Sequence, residues 1–324
     1  MIDYRSQQRT VQYIQDLIDA SDVRIGKIVV VDNSPEEDNY AQMLSQLKKI
    51  GAENFHTIAA EAFAGIQTLT IADFHNTQLI LVNSKNNSGF AKSNNMGLAL
   101  IRHFDSEHTI KYVLFSNSDI QFTQDKLLLS VLINDLNQHQ DAGLIGPKVI
   151  GLEGKQQSPC GYLSLYQRWL RTCILWPLNL KWKQKISELT EASELSAVYR
   201  IIGAFMLADV ERFHLIGGFD ETTFLYAEEL ILAERLKNVG MKVYCDPKVV
   251  IIHEGGHTVG SLKNPEARNR KLKNMFTSDI YYYEKYRGVS SAFCRFAKHM
   301  FAFYIWKLNA KDSILNWFGG KKHG

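Results

Sequence analysis

The chain has 324 residues, 45% hydrophobic and 22% charged, a balance that fits a soluble globular protein of one large or two modest domains. Its net charge of +3 is unevenly spread: residues 271–324 hold ten Lys and Arg against three Asp and Glu. This argues against a globally basic nucleic-acid binder and marks the tail as a surface for anionic lipid or an acidic partner. The four cysteines (Cys160, Cys173, Cys245, Cys294) form no CxxC pair, so zinc ribbons and disulfide frameworks are not expected. No signal peptide opens the chain and no uninterrupted apolar run reaches about 18 residues, so the expected location is cytoplasmic, without a spanning helix.

Taken in order, residues 1–24 read as one amphipathic helix with Val11, Ile14, Leu17 and Ile18 on its apolar face. Lys27–Val31 (KIVVV) is a short Val/Ile run, predicted as a buried parallel strand. It ends in Asp32-Asn33-Ser34-Pro35, a turn at the strand edge where open α/β sheets bind ligands. A helix over Asn39–Lys49, a poorly patterned stretch and a second buried strand, Gln78–Val82 (QLILV), follow. The loop Asn83–Gly97 is dense in Asn, Ser and Gly, residues that let a backbone approach a ligand or simply form a polar loop, and a helix is predicted from Leu98 to Phe104. A third strand, Tyr112–Phe115, delivers Ser116-Asn117-Ser118-Asp119. There an Asp at a strand end could ligate Mg²⁺ or Mn²⁺, or simply make an Asx turn.

A helix over Lys126–Gln138 and a strand over Gly143–Ile150 come next. Residues 151–200, with the aromatic and basic run YQRWLRTCILWPLNLKWKQK, read as an insertion over a cleft, an acceptor-facing surface or a packed hydrophobic patch. Arg200–Ala208 returns to the buried pattern. The stretch Gly217–Arg235 (GGFDETTFLYAEELILAER) combines a glycine turn, an aromatic-lined loop and the acidic pair Glu228-Glu229 opening a helix. Helical spacing puts Leu225, Glu229, Leu232, Leu236 and Val239 on one stripe, which aims Glu229 at a cleft mouth as a general base or simply complements the helix dipole. Gly240 caps that helix.

A final strand, Val243–Ile252, delivers His253-Glu254-Gly255-Gly256-His257-Thr258. The string matches HExxH, but that zinc pattern requires a helix, and a β-branched run with two glycines opposes one. The tail alternates basic and aromatic residues, which suggests interfacial docking on a membrane or packing onto the main body.

Four motifs in order, VVVDNS (29–34), NNSGFAKSNNMG (86–97), FSNSD (115–119) and GGFDETTFLYAEE (217–229) followed by HEGGHT (253–258), resemble the family 2 inverting glycosyltransferases, especially rhamnosyltransferase-like enzymes of bacterial capsule and O-antigen assembly. The resemblance covers about residues 8–260. It implies an α/β, Rossmann-like GT-A fold over 1–270, with a mostly parallel central sheet flanked by helices and a helical extension over 271–324. The nucleotide-binding half would span 1–119 and the acceptor half 120–270.

The resemblance further implies transfer from a UDP- or dTDP-sugar to a glycan or lipid-linked acceptor, with Mg²⁺ or Mn²⁺ as cofactor. Residue by residue, Asp32 matches the acid that contacts the base, and Asn33, Asn87, Gly89, Phe90, Lys92, Asn95 and Asn117 complete the nucleotide-sugar set. Asp119 and His253 match the metal positions, Glu229 the catalytic base and Glu228 its acidic neighbour. Family members usually begin with a strand ending in a Thr-Tyr-Asn-like turn. MIDYRSQQ stands where that strand should end, so either the true start lies upstream or the sheet lacks its first strand, and the latter leaves open a non-catalytic, nucleotide-binding scaffold.

Overall fold

The structure is a computed structural model that describes all residues except 59, 61, 62, 85, 124, 125, 128, 172, 174–188, 256–263 and 320–324, and the side chains of 37 and 314–319. The chain divides into two compact units, residues 1–161 with 189–258 and residues 162–188 with 259–324. Part of the 151–200 segment thus groups with the C-terminal helices, and most of its aromatic run lies outside the described residues.

In the first unit the order is β1 (Ile2–Asp3), α1 (Gln7–Ala20), β2 (Lys27–Asp32), α2 (Glu37–Lys49), β3 (Glu53–Ile58), β4 (Ile66–Phe74), β5 (Thr77–Ser84), α3 (Gly89–His103), β6 (Tyr112–Ser116) and β7 (Ile120–Phe122). It continues through α4 (Leu129–Gln138), β8 (Ala142–Ile150), β9 (Gln156–Ser158), β10 (Ser196–Val198), β11 (Phe205–Asp209), α5 (Val210–Leu215), α6 (Glu228–Asn238) and β12 (Lys242–His253). One sheet runs β1-β2-β5-β4-β3 and the other β10-β12-β8-β11-β6, with β7 on β12 and β9 on β8.

Three expectations are corrected. The first strand is not missing: Ile2 and Asp3 pair in parallel with Val31 and Asp32, so two residues hold that edge. The sheets are mixed rather than mostly parallel. Only β1–β2, β2–β5 and β8–β12 are parallel among the described pairs. The poorly patterned stretch is the reason on one side, because β4 turns tightly into β5 through His75-Asn76, and a hairpin can only be antiparallel. Finally, α3 starts at Gly89, not Leu98, so half of the Asn/Ser-rich loop is helix. Ser93 and Asn94 are buried there, and Phe90 N–H finds its acceptor 134 residues away on the Phe224 carbonyl, which local propensity cannot show.

The core forms as the apolar spacing predicts. Val11, Ile14 and Leu17 of α1 pack with Val30, Leu79 and Leu81 of the first sheet and Ile145, Phe205 and Leu207 of the second. Between β2 and β6 lies a groove of about 560 Å³ lined by Ile28, Val29, Leu98, Val113, Phe115 and Leu207 among others. No described strand pairs with β6 on that side, and β1 covers only the last two residues of β2.

Asp135 of α4 faces the buried Asp246 of β12. Burial, then the hydrogen bond and charge of Asp246, push the Asp135 carboxyl up to about 6. A carboxyl raised above its unfolded value stabilises the fold while protonated. Its contribution is full below about pH 4 and is lost as pH rises through about 6. Asp135→Asn keeps the shape of the side chain without the charge. The expected result is a higher urea midpoint than wild type above about pH 7 and an equal one near pH 4. Parallel pH profiles for the two proteins would refute this account.

The second unit contains a short helical turn over Tyr166–Leu170, α7 (Pro265–Arg287) and α8 (Ser291–Gly319). Asn264 caps α7 by accepting from Glu266 and Ala267 N–H groups at 2.9 and 3.3 Å, and Gly288, at φ +64°, ends it. Inside the unit the fully buried Asp279 carboxylate accepts from Arg168 Nε at 2.5 Å and Trp169 Nε1 at 2.6 Å. Among the described residues no helix is long and apolar enough to cross a membrane.

Candidate active site

The loop from Gly217 to Ala227 is held from both sides before it reaches Glu228-Glu229. Gly217 and Gly218 adopt φ of +71° and +69°, and a Cβ on Gly218 would sit 2.7 Å from Asn95 Oδ1. The Asn95 amide is spent on this loop: Oδ1 accepts from Phe219 N–H at 2.9 Å, and Nδ2 donates to the Phe219 carbonyl at 3.0 Å and Glu221 Oε1 at 2.9 Å. Further on, the Phe224 carbonyl accepts from Phe90 N–H at 2.9 Å. Gly89 is needed at that contact, since its Cβ would lie 2.1 Å from the same carbonyl oxygen.

Tyr226 and Ala227 then take φ of +74° and +68°, two non-glycine residues in the left-handed region immediately before α6. Such strain persists only where its surroundings enforce it, and it collects at functional sites. It delivers Glu228 buried and Glu229 half-buried at the helix head. Leu232 and Leu236 are buried as the stripe predicts, whereas Leu225 precedes the helix and Val239, past its end, is exposed.

Glu229 Oε1 accepts from Gly203 N–H at 2.9 Å, the one hydrogen bond to this carboxylate among the described residues. A Cβ on Gly203 would lie 3.2 Å from Oε1 and 3.4 Å from the Phe90 ring, so the glycine lets the carboxylate and ring approach the backbone. The next carbonyl, Ala204, accepts from Asn117 N–H at 2.9 Å. Glu229 is thereby tied through two backbone contacts to the strand end that carries Asp119.

Asp119 is buried and faces His253, with Oδ1 3.3 Å from Nε2 and no hydrogen bond to that oxygen. Burial alone would raise its pKa, but His253 and the nearby Arg9 charge hold it below the usual carboxylate value. Gln157 sets the ring: its Nε2 donates to the His253 carbonyl at 3.0 Å and its Oε1 sits 2.7 Å from His253 Nδ1. An amide oxygen only accepts, so Nδ1 carries a proton and Nε2 is the ring nitrogen turned toward Asp119.

A ring nitrogen and an orphaned carboxylate oxygen facing one another suit a divalent cation, and Gln157 is placed as the outer partner that would orient the histidine. No third His, Cys, Asp or Glu completes a cluster among the described residues. Mg²⁺ or Mn²⁺ needs none, since such ions fill their remaining positions from waters and substrate phosphates. The zinc-protease pattern does not form. His253 ends a strand, Glu254 is bound by Arg9 and by Gln121 Nε2 (2.6 Å from Oε1), and His257 lies outside the described residues.

The remaining predicted positions divide. Asp32 is buried and accepts from Ser34 N–H at 2.9 Å, and burial is the main cause that raises its pKa. Asn33 Nδ2 donates to Ser93 Oγ at 2.7 Å, leaving buried Oδ1 without a partner. Asn87 Oδ1 accepts from Gly89 N–H at 3.0 Å, Phe90 packs edge-on against Phe219 at 5.8 Å, and Lys92 is exposed. Gly203 and Gln157 are the residues that sequence reasoning misses. A glycine inside a strand-like run (RIIGAF) signals close backbone approach and could have been read, whereas nothing in KQQSPCG marks Gln157.

No protein-family model matches the chain. It is 25% identical over 152 residues to N-acetylglucosaminyl-diphospho-decaprenol L-rhamnosyltransferase of Mycobacterium tuberculosis, in both strain CDC 1551 / Oshkosh and strain ATCC 25618 / H37Rv. The match takes in 46% of this chain and 48% of the relative, so it spans about half the length of those proteins. Among solved structures, GalNAc-T7 with UDP, GalNAc and Mn²⁺ superposes with a TM-score of 0.52 at 10% identity, covering 98% of this chain and 57% of that one. The chain therefore has a glycosyltransferase fold of the GT-A type and is similar in sequence to the rhamnosyltransferases.

Proposed function

We propose that the chain transfers a sugar from a UDP- or dTDP-sugar to a glycan or lipid-linked acceptor, with inversion at the anomeric carbon. One observation carries the reading. Glu229, held by Gly203 N–H, is linked through Ala204 and Asn117 to the strand end that carries Asp119, which faces His253, and this supports reading them as a base and a cation-holding pair on one connected frame.

In this reading Glu229 accepts the proton of an acceptor hydroxyl while that oxygen attacks the anomeric carbon. The bond to the diphosphate oxygen breaks on the opposite face, and the nucleoside diphosphate leaves with its electron pair. A single displacement needs no protein nucleophile, unlike the covalent route of retaining hydrolases. Gly203 N–H fixes one carboxylate oxygen of the base, and the left-handed Tyr226-Ala227 pair fixes the helix head behind it. Asp119 and His253 would hold Mg²⁺ or Mn²⁺, which when bound supplies positive charge to the diphosphate. Asp32 and the loop around Asn87 and Gly89 are assigned to the nucleotide.

The name of the mycobacterial relative pairs L-rhamnosyl transfer with a diphospho-decaprenol-linked sugar, which supports a lipid-linked acceptor here. Calorimetric titration of the protein with UDP and with dTDP, each with and without Mn²⁺, tests the donor site. The expected result is Mn²⁺-dependent binding of one of them. Binding of neither would reject a working donor site.

A further inference from the structure

A helix on a globular surface has one apolar face, but α8 has two. Its inner face, Cys294, Ala297, Phe301 and Ile305, is buried, with Phe301 stacked on Phe276 of α7 at 4.0 Å and edge-on to Trp169 at 5.4 Å. Phe303 lies about 200° around the helix from Phe301, at roughly 100° per residue. On that outer side Phe296, His299, Phe303 and Trp306 repeat at helical spacing. The three aromatics there are 47%, 46% and 62% exposed, with Phe293 beside them at 40%. The rings associate in pairs, Phe293 with Phe296 at 6.2 Å and Phe303 stacked on Trp306 at 5.7 Å, and nothing among the described residues covers them.

The charges that α8 itself brings to this face are all of one sign, and Glu284 of α7 lies at its first turn, where it accepts from Ser291 Oγ at 2.5 Å. Arg295, Lys298, Lys307 and Lys311 are its cations, and the Lys307 ammonium lies 4.1 Å from the Phe303 ring centroid. The only acid over 291–319 is Asp312, already paired with Arg268 at 2.7 Å. Protein interfaces deplete lysine at their centres, whereas aromatic rings interleaved with Lys and Arg match a bilayer interface. There rings enter the acyl boundary, and the long cationic side chains reach back to the headgroups.

The geometry points to the outer face of α8 as a docking surface for an anionic lipid bilayer, lying in the plane of the interface. This does not depend on the transfer reaction. The test is co-sedimentation of the full chain with phosphatidylcholine vesicles and with vesicles containing one third phosphatidylglycerol. It compares wild type with the combined variant Phe296→Ser, Phe303→Ser, Trp306→Ser and with Lys298→Glu, Lys307→Glu.

Wild type should bind the anionic vesicles and lose binding as salt rises, the aromatic variant should bind at least about tenfold less, and each removed cation should cost about fivefold. The substituted aromatics are solvent-exposed, so circular dichroism and Mn²⁺-dependent nucleotide binding should match wild type, which separates this surface from the donor site. The proposal is overturned if wild type ignores anionic vesicles or if the aromatic variant binds as well as wild type. It is also overturned if light scattering shows a dimer that the aromatic variant dissolves, since a second copy would then be what covers the face.

Discussion

Glu229→Gln is expected to lower acceptor transfer by about a hundredfold to ten-thousandfold, the usual range for removing a positioned general base. The substitution keeps volume and leaves an amide oxygen able to accept from Gly203 N–H at the site where Oε1 now does. The loop geometry upstream, fixed by Asn95 and the Phe90–Phe224 contact, does not involve the carboxylate. Nucleotide binding should therefore persist while turnover collapses, a fall in kcat with little change in donor affinity. Transfer at wild-type rate in the Gln variant would remove Glu229 from the chemistry. A parallel loss of donor binding would make it a structural residue instead.

Asp119→Asn should abolish the share of nucleotide binding that Mn²⁺ confers. Asp119 Oδ1 has no hydrogen bond, so its negative charge is what the site offers a cation, and an amide of the same shape offers none. His253 alone, oriented by Gln157, is too little to hold Mg²⁺ or Mn²⁺ beside a diphosphate. Titration of wild type and Asp119→Asn with the preferred nucleotide, with and without Mn²⁺, reads this directly. The curves for the variant should coincide, and their separation in the variant by the wild-type margin would exclude Asp119 as a ligand. Because nucleotide without metal is measured alongside, a general loss of folding is distinguished from loss of the ion.

Much of the frame could be read from local pattern. KIVVV, QLILV and YVLF announce buried strands because they are short, continuous and β-branched or aromatic, and all three are strands here. The acidic pair opening α6 and the Gly240 stop are equally local. What stayed hidden depends on distant partners. Gly89 can start α3 because Phe224 supplies the acceptor, and Asn95 belongs to the 217–221 loop although its sequence neighbours read as ligand-binding. Gln157 is placed by strand β9 pairing with β8, a register no short motif encodes. The two-residue β1 lies below the length at which any periodicity exists.

The groove between β2 and β6 has a consequence for how the first unit opens. In a continuous sheet, neighbouring strands come apart only when a ladder of main-chain hydrogen bonds breaks, but no described ladder joins β2 to β6. The two sheets are held across that line by side chains and by isolated backbone contacts, such as Phe90 N–H on the Phe224 carbonyl and Leu127 N–H on the Ala20 carbonyl. Tyr13 of α1, in hydrogen-bond contact with Ser116 and ring contact with Phe122, is one such tie, together with the shared core around Leu17, Val30 and Phe205. Side-chain packing and isolated contacts resist shear less stiffly than a hydrogen-bonded ladder, so this line is where the unit is expected to open first. It also runs between Asp32, assigned to the nucleotide, and Asp119, assigned to its metal. A ligand bridging those two carboxylates would suture the seam and make the two halves unfold as one.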